Sequence, residues 1–198
     1  MTVAPARRVG RLLVTGARGF VGGHVQALAD AGGFGDVELL PAPESLDIRD
    51  AAAVAALVKE LAPDSVLHLA AQSFVPRSFE APQETFEVNV LGTVNLLHAL
   101  GATGFAGRLL FVSSGDVYGH VPEAAMPVTE DRVPEPRNPY AASKVAAEQA
   151  CLAWHRAGGL DCVVARPFNH VGPGQSPRFV LPALARQAVA IAEGRQPP

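Results

Sequence analysis

Tyr140 and Lys144 stand four residues apart in the segment YAASK, inside a stretch with a helical pattern. Residues at this spacing lie on one face of a helix, so the phenol and the ammonium can converge on one ligand. A neighbouring ammonium favours the phenolate, and we therefore expect Lys144 to lower the pKa of Tyr140. A phenol tuned in this way can exchange a proton with a carbonyl or an alcohol near neutral pH.

Two serines offer a second polar group for the same chemistry. Ser113 and Ser114 end a predicted strand at its carboxyl end, directly before a glycine-containing turn. A hydroxyl at this place can bind the carbonyl oxygen that Tyr140 would protonate. The alternative is that the hydroxyl caps a turn, and the sequence leaves both roles open.

A glycine-rich turn lies near the start of the chain, between a predicted strand and a predicted helix. In the segment TGARGFVG at 15–22, Gly16 permits a tight turn, Gly19 lets the backbone approach a pyrophosphate, and Gly22 lets the helix pack on the strand. The helix N-terminus adds backbone amides and the positive end of its dipole. This context predicts a dinucleotide-phosphate site. The alternative is an ordinary glycine-rich turn between a strand and a helix.

The residues after the second predicted strand bear on the kind of dinucleotide. NAD sites usually place an Asp or Glu at the end of this strand, but Leu40 is followed by Pro-Ala-Pro, and the first carboxylate is Glu44. Arg18 can meet a 2′-phosphate, or it is a solvated surface residue. Both features favour NADP(H) over NAD(H). Asp47 can accept a hydrogen bond from the adenine amino group, and its alternative role as a helix N-cap suits Asp50 better.

Short apolar runs rich in β-branched residues alternate with helical patterns along the chain. This alternation predicts an α/β fold, a Rossmann-like doubly wound parallel sheet with helices on both faces. Ligands of such sheets bind outside the carboxyl ends of the strands. The predicted strands are 9–15, 37–40, 65–69, 108–113 and 161–166, the predicted helices are 20–31, 50–61, 82–100, 139–157 and 179–193, and Pro-rich loops are predicted at 121–138 and 166–178.

Composition restricts the classes of function. Of the 198 residues 48% are hydrophobic and 18% are charged, which favours a substantial core over disorder. The net charge of −3 is spread without a basic block, so nucleic-acid binding has little electrostatic support. No apolar run suits a membrane span, and residues 1–8 lack a signal-peptide pattern and are expected to form a short flexible arm. Cys151 and Cys162 have neither metal nor redox spacing and are expected to be reduced core thiols of a cytoplasmic protein.

In their order along the chain, the glycine turn, the serine pair and the tyrosine–lysine pair resemble the extended short-chain dehydrogenase/reductase family. The resemblance covers nearly the whole chain. Within the family, the chain looks most like the branch of GDP-mannose 4,6-dehydratases and GDP-4-dehydro-6-deoxy-D-mannose reductases. The motifs that carry the resemblance are TGARGFVG at 15–22, LDIRD at 46–50, HLAAQS at 68–73, NVLGT at 89–93, SSGDVYG at 113–119, YAASK at 140–144 and RPFNHVGPGQ at 166–175.

The resemblance implies roles for individual residues, none of them as a metal ligand. The catalytic set would be Ser114, Tyr140 and Lys144, with Lys144 also holding the nicotinamide ribose. The cofactor would be bound by Gly16, Arg18, Gly19, Phe20, Val21, Gly22, Asp47, Ile48, Leu69, Ala70, Ala71, Asn89, Tyr140 and Lys144. The substrate would be bound by Ser73, Ser114, Asn169 and Arg178. Asn89 is alternatively a turn cap and Arg178 a solvated cation, whereas His68 and His170 are expected to be structural.

Position 115 separates the members of this branch. Dehydratases of the family usually follow the catalytic Ser or Thr with an acidic pair that performs the elimination, whereas here Gly115 leaves Asp116 as the one acid. A reductase needs the phenol, a hydroxyl partner and the hydride that the cofactor carries. The resemblance therefore implies reduction of the 4-keto group of a nucleotide-linked 6-deoxy sugar, with GDP as the nucleotide. A 4,6-dehydratase or 4-epimerase, and a non-catalytic dinucleotide-binding module, are the alternatives.

The family pattern also sets expectations about extent and assembly. Residues 1–166 are expected to form the NAD(P)-binding domain and 167–198 the beginning of an incomplete substrate lobe, so the chain is expected to be a fragment or a truncated product. About 24 residues separate Gly22 from Asp47, which is short for the branch and leaves the adenosine pocket less defined. Family members often pair through two long helices, here predicted at 82–100 and 139–157, so a homodimer is a hypothesis.

Overall fold

The computed structural model describes residues 10–197. The arm expected at residues 1–8, and the first residue of the strand predicted at 9–15, lie outside the described residues. Among the described residues, no helix combines the length and the hydropathy that crossing a membrane would require.

One parallel sheet organises the chain. Its strands are β1 Arg11–Thr15, β2 Glu38–Pro41, β3 Ser65–His68, β4 Arg108–Val112 and β5 Asp161–Ala165. They lie in the order β2-β1-β3-β4-β5, all parallel to their neighbours. The order reverses between β1 and β3, and this reversal opens a crevice at the carboxyl ends of these two strands, where ligands of open α/β sheets bind.

Helices connect the strands and complete the Rossmann-like α/β fold, which confirms the predicted fold class. They are α1 Phe20–Asp30, α2 Ala51–Leu61, α3 Val75–Glu80, α4 Pro82–Phe86, α5 Gly92–Ala102, α6 Pro139–Arg156 and α7 Val180–Ala192. Because parallel crossovers are right-handed, the reversal of strand order places α1 on the opposite face of the sheet from α2, α5 and α6. Asp50 caps α2 by accepting hydrogen bonds from the Ala52 and Ala53 amides at 2.9 and 3.0 Å, the role predicted for it.

The helix predicted at 82–100 differs from the one observed. It consists of α4, one π-helical turn at Glu87–Leu91, and α5, and the short α3 before it was not predicted. A single wide turn leaves the apolar spacing of a helix nearly unchanged, so hydrophobic periodicity does not reveal it. The π turn matters because it contains Asn89, a predicted site residue.

The core lies between the sheet and the helices α2, α5 and α6. Leu13, Val66, Leu109 and Phe111 project from three neighbouring strands and are at most 1% exposed. Fully burying such a side chain stabilises the fold by roughly 1.5–3 kcal/mol, so the ends of β1, β3 and β4 are firmly held. Their helical neighbours in the core are Val54, Val58, Leu96, Leu97, Leu100, Ala147 and Cys151.

Both cysteines belong to this apolar interior. Cys151 and Cys162 are free and buried, as predicted. Burial raises the pKa of the Cys151 thiol to about 12 and that of the Cys162 thiol to about 11. Because the thiolate is the reactive form, neither side chain suits nucleophilic chemistry.

The chain divides into two compact units. The first ends at Phe168 and contains the sheet, and the second, Asn169–Pro198, consists of a loop and α7. Within α7, Val180, Leu181 and Leu184 are more than half exposed. The first unit contains the glycine turn, the serine pair and the tyrosine–lysine pair.

Candidate active site

The glycine turn has the geometry that close approach of a phosphate requires. Gly16 has φ +70°, a left-handed conformation that favours glycine, and a Cβ there would lie 2.7 Å from the Ala70 amide nitrogen. The Gly19 amide donates to the Gly16 carbonyl at 2.9 Å and closes the turn. Gly19 is also the N-cap of α1 and has no side chain to cover the first helical turn, an arrangement that suits an anionic ligand. A Cβ at Gly22 would come within 2.4 Å of the Ala17 carbonyl oxygen, so glycine alone fits there.

We expect Gly16→Ala to weaken NADPH binding by about ten- to hundredfold, because the new methyl group strains the backbone and presses on residue 70 at the phosphate wall. Gly23→Ala is the matched control, since a Cβ at position 23 meets no atom within 4 Å. Titration of NADPH fluorescence measures both variants. Equal affinities in the two variants would contradict the assignment of the turn.

A cleft adjoins the turn and reaches the loop after β2. Beside it, the Asp47 carboxylate accepts hydrogen bonds from Arg49 Nη2 at 2.7 Å and from the Arg49 amide at 2.9 Å. The side-chain bonds with Arg49 are the main reason that the pKa of Asp47 falls to about 2. Asp47 is therefore ionised and engaged locally, and its contact with adenine stays a prediction. The cleft is lined by Thr15, Gly16, Ala17, Arg18, Gly19, Ala42, Pro43, Glu44, Leu46, Ile48 and Ala70.

Helix α6 begins where it brings the tyrosine and the lysine to one buried face. The Asn138 side chain accepts a hydrogen bond from the Ala141 amide at 2.7 Å, and Pro139 occupies the first helical position, a pairing typical of helix starts. Tyr140 and Lys144 follow in the first two turns and are 9% and 3% exposed. The structure thus places the two side chains on the same side of α6, next to the end of β4.

Burial dominates the titration of the phenol. It raises the pKa of Tyr140, the neighbouring Ser114 hydroxyl lowers that pKa in part, and the charge of Asp116 raises it again. The expectation that Lys144 lowers the pKa of Tyr140 is therefore wrong in this structure. The ammonium lies 4.4 Å from the centroid of the Phe111 ring, and burial lowers the pKa of Lys144 itself to about 8.

Ser114 is both a turn cap and a neighbour of the phenol. Its Oγ accepts a hydrogen bond from the Asp116 amide at 3.2 Å and caps the short 3₁₀ turn Gly115–Tyr118. The same hydroxyl acts on the pKa of Tyr140. Because the capping bond uses a lone pair of the oxygen, the hydroxyl hydrogen can serve a carbonyl oxygen. The two roles that the sequence left open are therefore compatible.

Asn89 connects the loop after β3 to α6. It lies in the π turn and is 1% exposed. Its Oδ1 accepts from the Gln72 amide at 2.8 Å, and its Nδ2 donates to Ser143 Oγ at 2.8 Å. The Ser143 hydroxyl in turn donates to the Tyr140 carbonyl at 2.6 Å. Asn89 thus braces α6 rather than capping a turn, and its place near a nicotinamide stays a prediction.

One buried hydroxyl near the end of β4 tests whether the site suits a cofactor. Ser113 is 4% exposed, and its Oγ has no hydrogen-bond partner within residues 10–197. An unsatisfied buried hydroxyl costs about 1–3 kcal/mol, a cost that a polar ligand atom would relieve. Together with the glycine turn, this group fits a dinucleotide that runs from the start of α1 to the end of β4.

A buried ion pair behind the site was not predicted. Glu148 is fully buried, and the Arg166 guanidinium bonds its two carboxylate oxygens at 3.0 and 2.7 Å. Arg166 also donates to the Tyr118 hydroxyl at 3.1 Å. The pair therefore links α6 to β5 and to the 3₁₀ turn that follows Ser114. No local sequence signal indicates this pair, because Arg166 and Glu148 belong to different segments, 18 residues apart.

The remaining predicted residues lie at the rim of the sheet or in the second unit. Ser73 is exposed in the loop after β3, and Asn169 and Arg178 are exposed in the second unit. Their contacts with a substrate stay predictions, as do the cofactor contacts of the residues directly after β3, which are Leu69, Ala70 and Ala71.

His68 is buried between β1 and α5, as expected of a structural residue. Its titration predicts how the stability of the fold depends on pH. Burial, followed by the charge of Lys144, lowers its pKa from 6.5 to about 3. At pH values between about 3 and 6.5, the His68 imidazole is protonated in the unfolded chain and neutral in the folded chain. We therefore expect the free energy of unfolding to fall, as the pH drops below 6.5, by up to about 1.4 kcal/mol per pH unit from this group.

Urea denaturation at pH 7.5, 5.5 and 4.5 tests this expectation on the wild type and on His68→Gln. The variant should lose less stability toward low pH than the wild type does. His98→Gln is the control, because His98 is exposed. Identical slopes for the wild type and His68→Gln would refute the prediction.

Several known proteins to which the chain is similar are sugar-nucleotide enzymes. The GDP-6-deoxy-D-mannose reductase of Pseudomonas aeruginosa is 50% identical over 186 residues, which are 94% of this chain and 60% of that protein. A structure of RMD from Pseudomonas aeruginosa complexed with NADPH has a TM-score of 0.88 at 50% identity, covering 95% of this chain and 64% of that one. A Thermus thermophilus UDP-glucose 4-epimerase complexed with NAD has a TM-score of 0.80 at 36% identity, covering 93% and 63%.

The chain thus spans about 60% of the length of the curated relative that it matches at 50% identity. The sequence model of one family matches it over residues 12–196, which include the sheet, the glycine turn and the tyrosine–lysine pair. By this match the chain belongs to the NAD dependent epimerase/dehydratase family.

Proposed function

We propose that this chain carries the cofactor site and catalytic residues of an NAD(P)H-dependent reductase that acts on the 4-keto group of a GDP-linked 6-deoxy sugar. The juxtaposition of the Ser114 hydroxyl and the Tyr140 phenol carries the proposal, because carbonyl reduction needs one hydrogen-bond donor and one proton donor at the same oxygen. The 50% identity with a GDP-6-deoxy-D-mannose reductase supports the choice of substrate.

The titration of the phenol suits reduction. Because the pKa of Tyr140 is raised, the phenol keeps its proton at neutral pH. When bound, the cofactor supplies a hydride to C4 of the keto sugar. Ser114 donates a hydrogen bond to the carbonyl oxygen, and Tyr140 delivers its proton to that oxygen as negative charge develops there. The buried Lys144 ammonium lies on the same face of α6 and would hold the nicotinamide ribose.

Position 115 favours reduction over elimination. A Cβ at Gly115 would lie 2.9 Å from Cδ1 of the Phe168 ring, and the Gly115 amide donates to the Pro167 carbonyl at 2.8 Å. An acidic side chain at 115, as in the dehydratases of the family, would therefore have to displace the aromatic ring. Reduction needs no group at this position.

Two features support NADP(H) as the cofactor. Arg18 is exposed at the cleft beside the glycine turn, where it can meet a 2′-phosphate, and the relative with a TM-score of 0.88 is complexed with NADPH. The dissociation constants for NADPH and NADH, measured on the wild type and on Arg18→Ala, test this choice. Arg18→Ala should weaken NADPH binding and leave NADH binding nearly unchanged.

Turnover of a GDP-4-keto-6-deoxy sugar tests the reaction. We expect NADPH to be consumed in proportion to the reduced sugar nucleotide formed. A dehydratase or an epimerase regenerates its cofactor and shows no net consumption. If the chain binds NADPH but does not oxidise it with this substrate, the chain is a dinucleotide-binding module and the reductase proposal fails.

One observation favours a second candidate, a 4,6-dehydratase. The Asp116 carboxylate lies close enough to Tyr140 for its charge to raise the pKa of the phenol, so one acid of the usual pair remains at the site. Release of water from GDP-mannose, with no added reductant, would identify this activity.

We further propose that the first unit is the cofactor-binding domain and that the second begins the substrate lobe. We also propose a homodimer that forms through the surface of α4, α5 and α6. Phe79, Phe86 and Leu91 on or beside these helices are exposed by 64%, 39% and 55%, and a dimer interface would remove their apolar surface from water. Light scattering during gel filtration tests the dimer, and a monomer mass removes it.

A further inference from the structure

A chain of hydrogen bonds that the proposed mechanism does not use runs behind the site. The Ala70 amide donates to Thr15 Oγ1 at 3.3 Å, and Thr15 Oγ1 lies 2.6 Å from His68 Nδ1. On the other edge of the ring, His68 Nε2 lies 3.0 Å from Thr93 Oγ1, which donates to the Asn89 carbonyl at 2.7 Å. The chain therefore crosses from β1 through β3 to the π turn and α5.

The direction of each bond follows from the number of hydrogens. Thr93 has one hydroxyl hydrogen, which it donates to a carbonyl, so it must accept from His68 Nε2–H. His68 Nδ1 then carries no proton and accepts from the Thr15 hydroxyl. A neutral imidazole accepts at its δ position and donates at its ε position at the same time, which matches the donor on one side and the acceptor on the other.

The two ends of this chain are the two halves of the site. At one end, the Ala70 amide nitrogen is the atom nearest to the Cβ position of Gly16, at 2.7 Å, so it forms the wall of the phosphate turn. At the other end, Asn89 Nδ2 donates to Ser143 Oγ, which donates to the Tyr140 carbonyl. A shift of the imidazole would therefore displace both the glycine turn and helix α6.

We propose that His68 is a positioning residue that holds the glycine turn and the Tyr140 helix in register, through Thr15 on one side and Thr93 on the other. The proposal rests on the proposed function for the roles of the two ends. Thr15, His68, Thr93 and Asn89 are each 1% exposed, so water does not readily replace a bond that is removed. The two sides of the ring are chemically distinct, which allows each side to be broken separately.

Two isosteric variants break one side each. Thr15→Val removes the bond on the turn side, and we expect it to weaken NADPH binding by about tenfold without changing the titration of Tyr140. Thr93→Val removes the bonds on the helix side and should leave NADPH binding within about twofold. It should also loosen the link from Asn89 through Ser143 to the Tyr140 carbonyl, so that α6 packs less deeply and the raised pKa of Tyr140 falls.

Both readouts are available on the intact chain without turnover. NADPH fluorescence gives the dissociation constant. Tyrosinate absorbance gives the titration of Tyr140, because the chain has 2 tyrosines and each variant can be compared with its Tyr140→Phe counterpart. Thr103→Val is a control for the loss of a threonine hydroxyl bond away from the site, since the exposed Thr103 donates to the Ala99 carbonyl at 3.2 Å after the end of α5.

Substitutions of the ring itself give a second, independent test. Asn keeps a polar group at the δ position, so His68→Asn should resemble Thr93→Val. Gln keeps one at the ε position, so His68→Gln should resemble Thr15→Val. If His68→Leu folds, it should change both readouts.

Three results would overturn the proposal. The first is that the threonine variants lower the melting temperature but leave both readouts as in the control. The second is that each threonine variant changes both readouts equally, which would show general loosening rather than positioning. The third is that His68→Asn and His68→Gln behave alike. A wild type that fails to bind NADPH counts against the proposed function instead, and the effect of Thr93→Val on the Tyr140 titration still decides the role of His68.

Discussion

Tyr140→Phe should reduce kcat for carbonyl reduction by about 10²–10⁴-fold, the range typical of a lost general acid, while NADPH still binds with nearly unchanged affinity. The phenol is the proton donor in the proposed reaction, and without it the negative charge that develops on the carbonyl oxygen loses this proton. Because Tyr140 is 9% exposed, a phenyl ring preserves its packing, and the variant should fold. Stopped-flow NADPH oxidation and an NADPH binding titration separate the two effects.

Tyr118→Phe is the matched control for this prediction. It removes a hydroxyl of the same kind, which is bonded to Arg166 and lies in the turn after Ser114 rather than at the proposed reaction centre. We expect its kcat to fall by about tenfold at most, as a result of looser positioning. Equal losses in the two variants would show that Tyr140 is not the proton donor.

Arg166→Leu should have the largest effect on stability. It leaves the Glu148 carboxylate fully buried without its cation, and breaking a buried pair in this way costs about 3–5 kcal/mol. The free energy of unfolding of most domains is only about 5–15 kcal/mol, so the variant should unfold at a much lower urea concentration. The loss should reach the site as well, because Arg166 holds α6 against the turn that contains Ser114.

The double variant Arg166→Leu/Glu148→Leu should recover much of the lost stability, since it removes both charges and fills the space with apolar groups. The exposed pair of Arg77 and Glu84, whose side chains are 47% and 40% exposed, is the control. Arg77→Leu should cost at most about 1 kcal/mol. Urea denaturation of the wild type and of the three variants measures the differences in the free energy of unfolding. An Arg166→Leu variant that is no less stable than Arg77→Leu would contradict the assignment of a stabilising buried ion pair.

The fold and the positions of the main site residues were predictable because local signals and global topology agree. The glycine turn follows an apolar strand, and the caps Asp50 and Asn138 start helices where the apolar spacing begins. Because all strands are parallel, β1 and β4, on either side of β3, carry the turn and Ser114 to the same edge of the sheet.

Other features depend on contacts between distant segments and were not predictable. The sign of the pKa change of Tyr140 depends on how deeply α6 packs, whereas the spacing of Tyr140 and Lys144 suggested only a charge effect. Arg166 and Glu148 pair across a β-strand and a helix, 18 residues apart, at a spacing that no local rule interprets. The π turn around Asn89 is invisible to hydrophobic periodicity.

The contact between Gly115 and the Phe168 ring has an evolutionary consequence. Because the Phe168 side chain is 61% exposed, its ring can turn away to admit an acid at position 115, but it would then lose its stacking on the Tyr118 ring. Divergence at position 115 should therefore favour a compensating change at position 168. A mutant library that varies both positions together should recover more folded, active clones than one that randomises position 115 alone.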